Sequence, residues 1–139
     1  MPLPDAEVAR LLDTWPVARL ATLRPDGRPH LVPIVFARAA GALWSPIDGK
    51  PKAGGTPARV RNVARDPRVA LLLDAYEADW RQLWWVRVDG AASLVAGDAA
   101  AEAALRAKYP QYRDVPLYAG APLLIRIEPS AVASWSPAR

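Results

Sequence analysis

The sequence has no cysteine and a single histidine, His30, among its 139 residues. The lack of cysteine excludes disulfide bonds, thiolate nucleophiles and Cys-ligated metals, and one histidine cannot form a His cluster around zinc. We therefore expect no metal site, and a hydrolase that uses a Cys or a Ser-His pair is a poor candidate. His30 follows a predicted turn on a strand, where a partly exposed structural histidine is a simpler interpretation than a catalytic one.

Long apolar runs are also missing. No stretch approaches the roughly 18 residues that span a membrane, and the first residues, MPLPDAEVARLL, lack the pattern of a signal peptide. We therefore expect a cytoplasmic protein with no membrane partner. A hydrophobic content of 52% with 23% charged residues predicts one globular domain, residues 1–139. The net charge of +4 permits nucleic-acid binding but carries little weight, since many of the basic residues stand beside acids.

Alternating apolar residues and turn signals predict a mainly β chain. Asp26-Gly27 predicts a hairpin turn, and Pro33 predicts that its strand lies at an edge or contains a bulge. The longest apolar segment predicts either one strand or two, and Gly90 is expected to bend it. Helices are predicted after Asp5, after Thr56-Pro57 and after Asp98. The predicted strands are VARLATL (17–23), HLVPIVFA (30–37), ALWSPI (42–47), VALLLDAY (69–76), QLWWVRVDGAASLVAG (82–97), LLIRIEP (123–129) and a short AVASWSP (131–137). Six or seven antiparallel strands with peripheral helices describe a small closed β-barrel.

One stretch, residues 44–68, concentrates the basic charge. Thr56 is a good N-cap with Pro57 at the first helical position, and a helix start backed by Lys and Arg is a phosphate site. The alternative is a solvated basic helix that joins two strands. The stretch holds Lys50, Lys52, Arg59, Arg61, Arg65 and Arg68, six of the eighteen basic residues. Its GKPKAGGT segment is no P-loop, because Gly55 stands where the phosphate-binding Lys must be and no βαβ pattern surrounds it.

Six tryptophans are many for a chain of this length, and Trp80, Trp84 and Trp85 cluster beside Arg81 and Arg87. They fit packing in the core or at an interface, or a wall on which a flat ring stacks. Aromatic and Arg neighbours also suit single-stranded nucleic acid bound to a barrel. Against that interpretation, the basic charge is concentrated in one loop and helix instead of following the strands.

The order of these segments resembles the split-barrel flavoproteins of the pyridoxamine 5′-phosphate oxidase class, and within it the branch of probable coenzyme F420-dependent oxidoreductases from actinobacteria. The resemblance covers nearly the whole chain. Members of the class bind F420, FMN, haem or biliverdin on similar scaffolds. The segments that carry the resemblance are ARLATLRPDGRPHLVPIVFA, LWSPI, RVRNVARDPRVALLLD, WVRVDGAASL and LLIRIEPSAVASWS.

The resemblance implies a split β-barrel homodimer with two cofactor sites at the subunit interface. Arg59 falls where the family has a phosphate-binding Lys or Arg, and Lys50 and Lys52, in a loop longer than in the shortest relatives, would replace or supplement the phosphate contacts. Trp80 or Trp84 would approach the ring across the dimer. The implied cofactor-binding set is Pro33, Val35, Ser45, Pro46, Ile47, Lys50, Lys52, Arg59, Arg61, Asn62, Trp80 and Trp84.

The resemblance also implies the chemistry. Reduced deazaflavin would donate a hydride to a small electron-poor substrate, so that no side chain is expected to act as catalytic acid or base and no nucleic acid as partner. Three alternatives stay open: an FMN-dependent oxidoreductase on the same fold, a non-enzymatic protein that binds or carries a flavin, and a small barrel that binds nucleic acid.

Overall fold

The computed structural model describes residues 1–49 and 55–137, and within these ranges seven strands form one antiparallel sheet. The mainly β prediction is confirmed. Among the described residues, one α-helix precedes the first strand, and two further α-helices and two short 3₁₀ helices lie between later strands. The strands are β1 (Ala18–Leu23), β2 (Pro29–Ile34), β3 (Ala37–Ala39), β4 (Ala42–Pro46), β5 (Arg68–Ala75), β6 (Trp84–Val95) and β7 (Leu124–Trp135), in the sheet order β2-β1-β5-β6-β7-β4-β3.

The sheet curls because its two outermost strands are consecutive in the chain. Strands β2 and β3 stand at opposite ends of the strand order, yet only Val35 and Phe36 separate them. A connection of two residues requires the two ends of the sheet to come together, as in a barrel. The edge position predicted for Pro33 is confirmed, since it lies in β2. The sequence missed β3 as a separate strand.

Strands β6 and β7 form the longest pairing of the sheet. Each has 12 residues, so the segments 82–97 and 123–137 each hold one continuous strand. The pairing shifts register between Asp89 and Gly90. A Cβ at Gly90 would lie 2.5 Å from the carbonyl oxygen of Glu128, so the strands approach too closely there for any side chain. This register shift lies at the residue where a bend of the strand was predicted.

The helices begin near their predicted positions. Helix α1 (Asp5–Thr14) buries Leu11 and Leu12 against the sheet. Helix α3 (Ala99–Lys108) is capped as predicted by Asp98, whose Oδ1 accepts from the backbone N–H of Ala101 at 2.9 Å.

Helix α2 (Ala58–Arg65) begins one residue later than predicted. Pro57 was expected to be the first helical residue behind a Thr56 cap, but its ψ of 146° keeps it extended. It therefore occupies the cap position itself, where its carbonyl accepts from the N–H of Val60, and no side chain in the part of the chain that the structure describes caps the helix.

Two apolar clusters hold these elements together. The larger fills the barrel and includes Leu20, Phe36, Leu71, Leu73, Val86, Val88, Ile125 and Ile127. The smaller lies under α3 and contains Ala37, Ala42, Trp44, Ala101, Leu105, Tyr109, Tyr112, Leu117 and Leu124. Between the two clusters, β4 is buried along its whole length. The last two residues of β4, Ser45 and Pro46, are therefore buried.

Candidate functional site

A cavity of about 280 Å³ opens where β2, β4 and α2 meet, and we call it the Arg59 cavity. Its lining combines apolar residues with three polar or charged ones. The lining residues are Val17, Pro33, Ile34, Val35, Ser45, Pro46, Asp48 and Arg59. Five of the predicted site residues therefore meet here, namely Pro33, Val35, Ser45, Pro46 and Arg59.

Two polar groups of the cavity lack partners. The Oγ of Ser45 and the Nε of Arg59 are both buried and have no hydrogen-bond partner among the described residues. Buried polar atoms in folded proteins are nearly always paired, so two in one cavity indicate a missing acceptor. A hydroxyl and a guanidinium can both donate, and a phosphate or a ring carbonyl oxygen would satisfy both groups.

Charge in the cavity is balanced between Arg59 and Asp48. The pKa of Arg59 is lowered because burial disfavours its charge, and the negative charge of Asp48 offsets part of this effect. Asp48 is 2% exposed and accepts a hydrogen bond of 2.6 Å from the hydroxyl of Tyr112. Burial, that hydrogen bond and the negative charge of Asp48 raise the pKa of Tyr112, so its hydroxyl stays protonated.

Backbone hydrogen bonds fix the chain that carries Asp48. The N–H of Ile47 donates to the carbonyl of Leu123, and the N–H of Gly49 donates to that of Pro116, both at 3.0 Å. Sequence reasoning missed Asp48 and Tyr112. The available signal for Asp48 was an acid placed directly after a buried strand and before a basic loop.

Other predicted site residues lie elsewhere. Ile47 is 7% exposed and belongs to the core. Asn62 is buried, donates from Nδ2 to the hydroxyl of Thr22 at 3.0 Å, and thereby holds α2 to β1. Arg61 leaves α2 on a different side from Arg59 and lines a neighbouring groove. Two positions along a helix are about 200° apart, so the spacing of these two arginines already indicated their divergence.

Lys50 and Lys52, predicted to contact phosphate, lie outside the described residues.

The predicted tryptophans do not reach the Arg59 cavity of their own chain. Trp80 is 70% exposed, in a 3₁₀ helix (Trp80–Gln82) before β6. Trp84 packs edge-on against Trp15 with ring centroids 4.7 Å apart. It also lines a second cavity, of about 420 Å³, on the outside of the sheet. This outer-sheet surface consists of Arg19, Ala21, Leu31, Ala70, Leu71, Leu72, Asp74, Tyr76, Trp84, Trp85 and Arg87.

Metal chemistry finds no support in the part of the chain that the structure describes, since no three His, Asp or Glu side chains come together there. Among the described residues there is also no helix long and apolar enough to cross a membrane.

Comparisons with known proteins agree with this architecture. Solved structures with the same fold include the conserved hypothetical protein Rv2991 of Mycobacterium tuberculosis, at 24% identity and a TM-score of 0.73, over 96% of this chain and 85% of that one. An FAD-binding protein of Mesorhizobium loti matches at 21% identity and a TM-score of 0.68, over 96% and 93% of the two chains. The FAD-binding protein of Mycobacterium smegmatis matches at 20% identity and a TM-score of 0.65, over 99% and 100%.

A search of curated proteins finds no match. The family model described as pyridoxamine 5′-phosphate oxidase, in contrast, matches residues 4–136. The match spans every described strand and helix, and the sheet has the split-barrel arrangement of that family. This chain belongs to the pyridoxamine 5′-phosphate oxidase family of flavin-binding oxidoreductases.

Proposed function

We propose that the protein is an oxidoreductase that binds coenzyme F420 in the Arg59 cavity and passes a hydride to a small electron-poor substrate. The observation that carries the proposal is the pair of unpartnered buried donors, Ser45 Oγ and Arg59 Nε, in one cavity. A deazaflavin has both a ring carbonyl and a phosphate that such donors would bind. When bound, the cofactor supplies the hydride chemistry, and the chain supplies position and electrostatics.

The residues of the cavity have separate tasks in this proposal. Arg59 binds phosphate, with Asp48 holding its guanidinium in place by charge attraction. Pro33 and Val35 form an apolar wall against the ring, and Pro46 closes the buried side. Ser45 donates to an oxygen at the ring edge. Lys50 and Lys52 would add positive charge for the phosphate and for the acidic tail of coenzyme F420.

A homodimer would complete the site. Large apolar side chains stay exposed at and beside the outer-sheet surface, where Leu31 is 64% and Tyr76 77% exposed. Exposed apolar side chains that line one cavity support an interface at this surface. We propose that two chains meet there, so that Trp80 or Trp84 of one chain approaches the ring held by the other. Light scattering should then give twice the mass of one chain, and Leu31→Asp should shift the protein toward the monomer.

The second candidate function is that of an FMN-dependent oxidoreductase on the same fold. It is favoured by the two solved structures with this fold that are described as FAD-binding. A flavin carrier without turnover is a further candidate, since no side chain of the Arg59 cavity stands out as a catalytic acid or base. We expect no nucleic-acid partner.

The deciding experiment is a titration of purified protein with F420 and, separately, with FMN, followed by tryptophan fluorescence. Saturable quenching by micromolar F420 is the expected result. Binding of FMN without binding of F420 would contradict the proposal and favour an FMN-dependent oxidoreductase. A bound cofactor that electron donors cannot reduce, and that artificial acceptors cannot oxidise once it is reduced, would indicate a carrier.

A further inference from the structure

A second basic site lies on the other side of α2 from the Arg59 cavity. The β1–β2 turn and the outward side of α2 enclose a groove of about 530 Å³, which we call the hairpin groove. Its lining residues are Arg24, Pro25, Asp26, His30, Ala58, Arg61, Asn62 and Arg65. None of them lines the Arg59 cavity. The groove is therefore a separate concavity with its own charge.

Three guanidinium groups and one imidazole converge on the groove. Arg24 comes from the end of β1, while Arg61 and Arg65 stand one turn apart on α2. Arg61 donates to the carbonyl of Thr56, and Arg65 donates to Asn62 Oδ1 and to the carbonyl of Leu23. Because each guanidinium carries five N–H donors, these contacts leave several donors for a ligand.

The acid that lines the groove is already neutralised. Backbone and side-chain hydrogen bonds from Arg28 lower the pKa of Asp26, and the two side chains form an ion pair at 2.7 Å. Asp26 thus stays ionised and is paired mainly with Arg28, with a weaker attraction to Arg24. One carboxylate does not offset the three positive charges of Arg24, Arg61 and Arg65. The hairpin groove keeps an excess of positive charge.

His30 gives an independent indication of a ligand. It pairs with Thr22 across β1 and β2, and opposite residues of an antiparallel pair point to the same face. Thr22 faces α2, because its hydroxyl accepts from Asn62, so His30 faces α2 as well. Its Nδ1 is buried and has no hydrogen-bond partner among residues 1–49 and 55–137. A buried ring nitrogen beside three arginines lacks the partner that an oxyanion would supply.

We propose that the hairpin groove binds a small oligoanion of the diphosphate class, independently of the cofactor in the Arg59 cavity. Arginine recognises phosphate oxygens in bidentate geometry, and arginines from two elements suit adjacent phosphate groups. The volume is that of a small-molecule site. Among the described residues, the imidazole of His30 is the one aromatic ring that lines the groove, which offers little platform on which single-stranded nucleic acid could stack.

The test is calorimetric titration with pyrophosphate at low ionic strength. Saturable binding to the wild-type protein is expected, with about tenfold weaker binding in Arg24→Gln and in Arg61→Gln, because each removes a charge-assisted hydrogen bond. Both side chains are exposed, so the folded state should survive, and circular dichroism verifies this. Arg59→Gln, which changes the other cavity, should leave unchanged the pyrophosphate binding that Arg24→Gln and Arg61→Gln weaken.

Arg113→Gln is the matched control, because Arg113 is exposed, does not line the hairpin groove, and its loss changes the net charge equally. An equal loss of affinity in this control would overturn the proposal, since the effect would then be one of total charge. The absence of binding at millimolar pyrophosphate would also overturn it. So would loss of binding in Arg59→Gln alone, or tighter binding of a single-stranded oligonucleotide through the same arginines. Failure of F420 to bind would leave the proposal intact.

Discussion

Replacement of Arg59 by glutamine tests the Arg59 cavity most directly. The guanidinium is partly buried, its Nε–H has no partner among the described residues, and the neighbouring charge is the carboxylate of Asp48. If Arg59 binds the cofactor phosphate, Arg59→Gln removes one charge-assisted hydrogen bond, worth about 1.5–3 kcal/mol. Since about 1.4 kcal/mol corresponds to a factor of ten, the dissociation constant should rise roughly tenfold to a hundredfold.

The assay is the same fluorescence titration, run on the wild-type protein, Arg59→Gln, Arg59→Lys and Arg113→Gln. Lysine keeps the charge but loses the planar fork, so Arg59→Lys should fall between the wild-type protein and Arg59→Gln. The Arg113 variant should bind like the wild-type protein, because its side chain is exposed and is not among the residues that line the cavity. An unchanged dissociation constant in Arg59→Gln, with the fold intact, would refute the assignment of Arg59 to the phosphate.

Three further predictions concern stability. Tyr112→Phe should lower the free energy of unfolding by about 1.5–3 kcal/mol, because the buried carboxylate of Asp48 loses a hydrogen bond of 2.6 Å; urea denaturation measures the loss. Gly90→Ala should cost about 1–3 kcal/mol in the same assay, because the added methyl group would meet the carbonyl oxygen of Glu128 at 2.5 Å. Lys108 sets a pH dependence: burial lowers its pKa from 10.5 to about 8, so between these values the unfolded state binds more protons and stability should rise as the pH increases from about 8 toward 10.

Matched controls separate these effects from general damage. Tyr76→Phe removes a hydroxyl from a side chain that is 77% exposed and should change stability by less than about 0.5 kcal/mol. Gly120→Ala places its methyl group in open space, and a loss equal to that of Gly90→Ala would contradict the close-approach argument. Lys108→Met should abolish the rise above pH 8, and a rise that persists in this variant would assign the effect to another group.

Tyr109 limits the pH window at its upper end. Burial raises the pKa of its hydroxyl to about 12 from 10.0, so above pH 10 the unfolded state has lost a proton that the folded state retains. Stability should therefore fall as the pH rises from about 10 to 12. The maximum is expected near pH 10. Because the pKa values of Tyr112 and Tyr118 are raised as well, a Tyr109→Phe variant should show a smaller fall while keeping the rise.

The sequence predicted elements whose causes are local. Asp98 caps α3 as its position before an Ala-rich segment predicted, and Pro33 lies on an edge strand because it has no N–H to donate to a second neighbour. Gly90 marks the irregularity of β6 because no other residue tolerates the approach of Glu128. The family resemblance, carried by segment order and motifs, was confirmed by the match over residues 4–136.

Local rules gave wrong boundaries near two prolines, Pro57 and Pro129. Pro57 satisfies the rules for a first helical residue and for an extended cap equally well, and the extended form was the one adopted. The two final segments, 123–129 and 131–137, were predicted as separate strands with Pro129 at the end of the first, but pairing with β6 keeps the strand continuous through a register shift.

The composition of the site depended on tertiary structure. The hydrogen bond between Asp48 and Tyr112 joins residues 64 positions apart, and no periodicity relates them. The basic stretch looked like one phosphate site in the sequence, but α2 sends Arg59 into one cavity and Arg61 into another. Charge clustering along a chain fixes only that cations are near in sequence, whereas the direction of each side chain follows from helix geometry and from what packs against the helix.

The sequence by itself thus determined the class of fold, the family and the region of positive charge, because hydrophobic alternation, caps and turn residues act over a few neighbours. Only the tertiary structure decided which donors are buried without partners, which acid faces Arg59 and which apolar side chains stay exposed on the sheet. Those properties arise from contacts between strands and helices that are distant in the chain. Burial is a property of the packed whole and of no single segment.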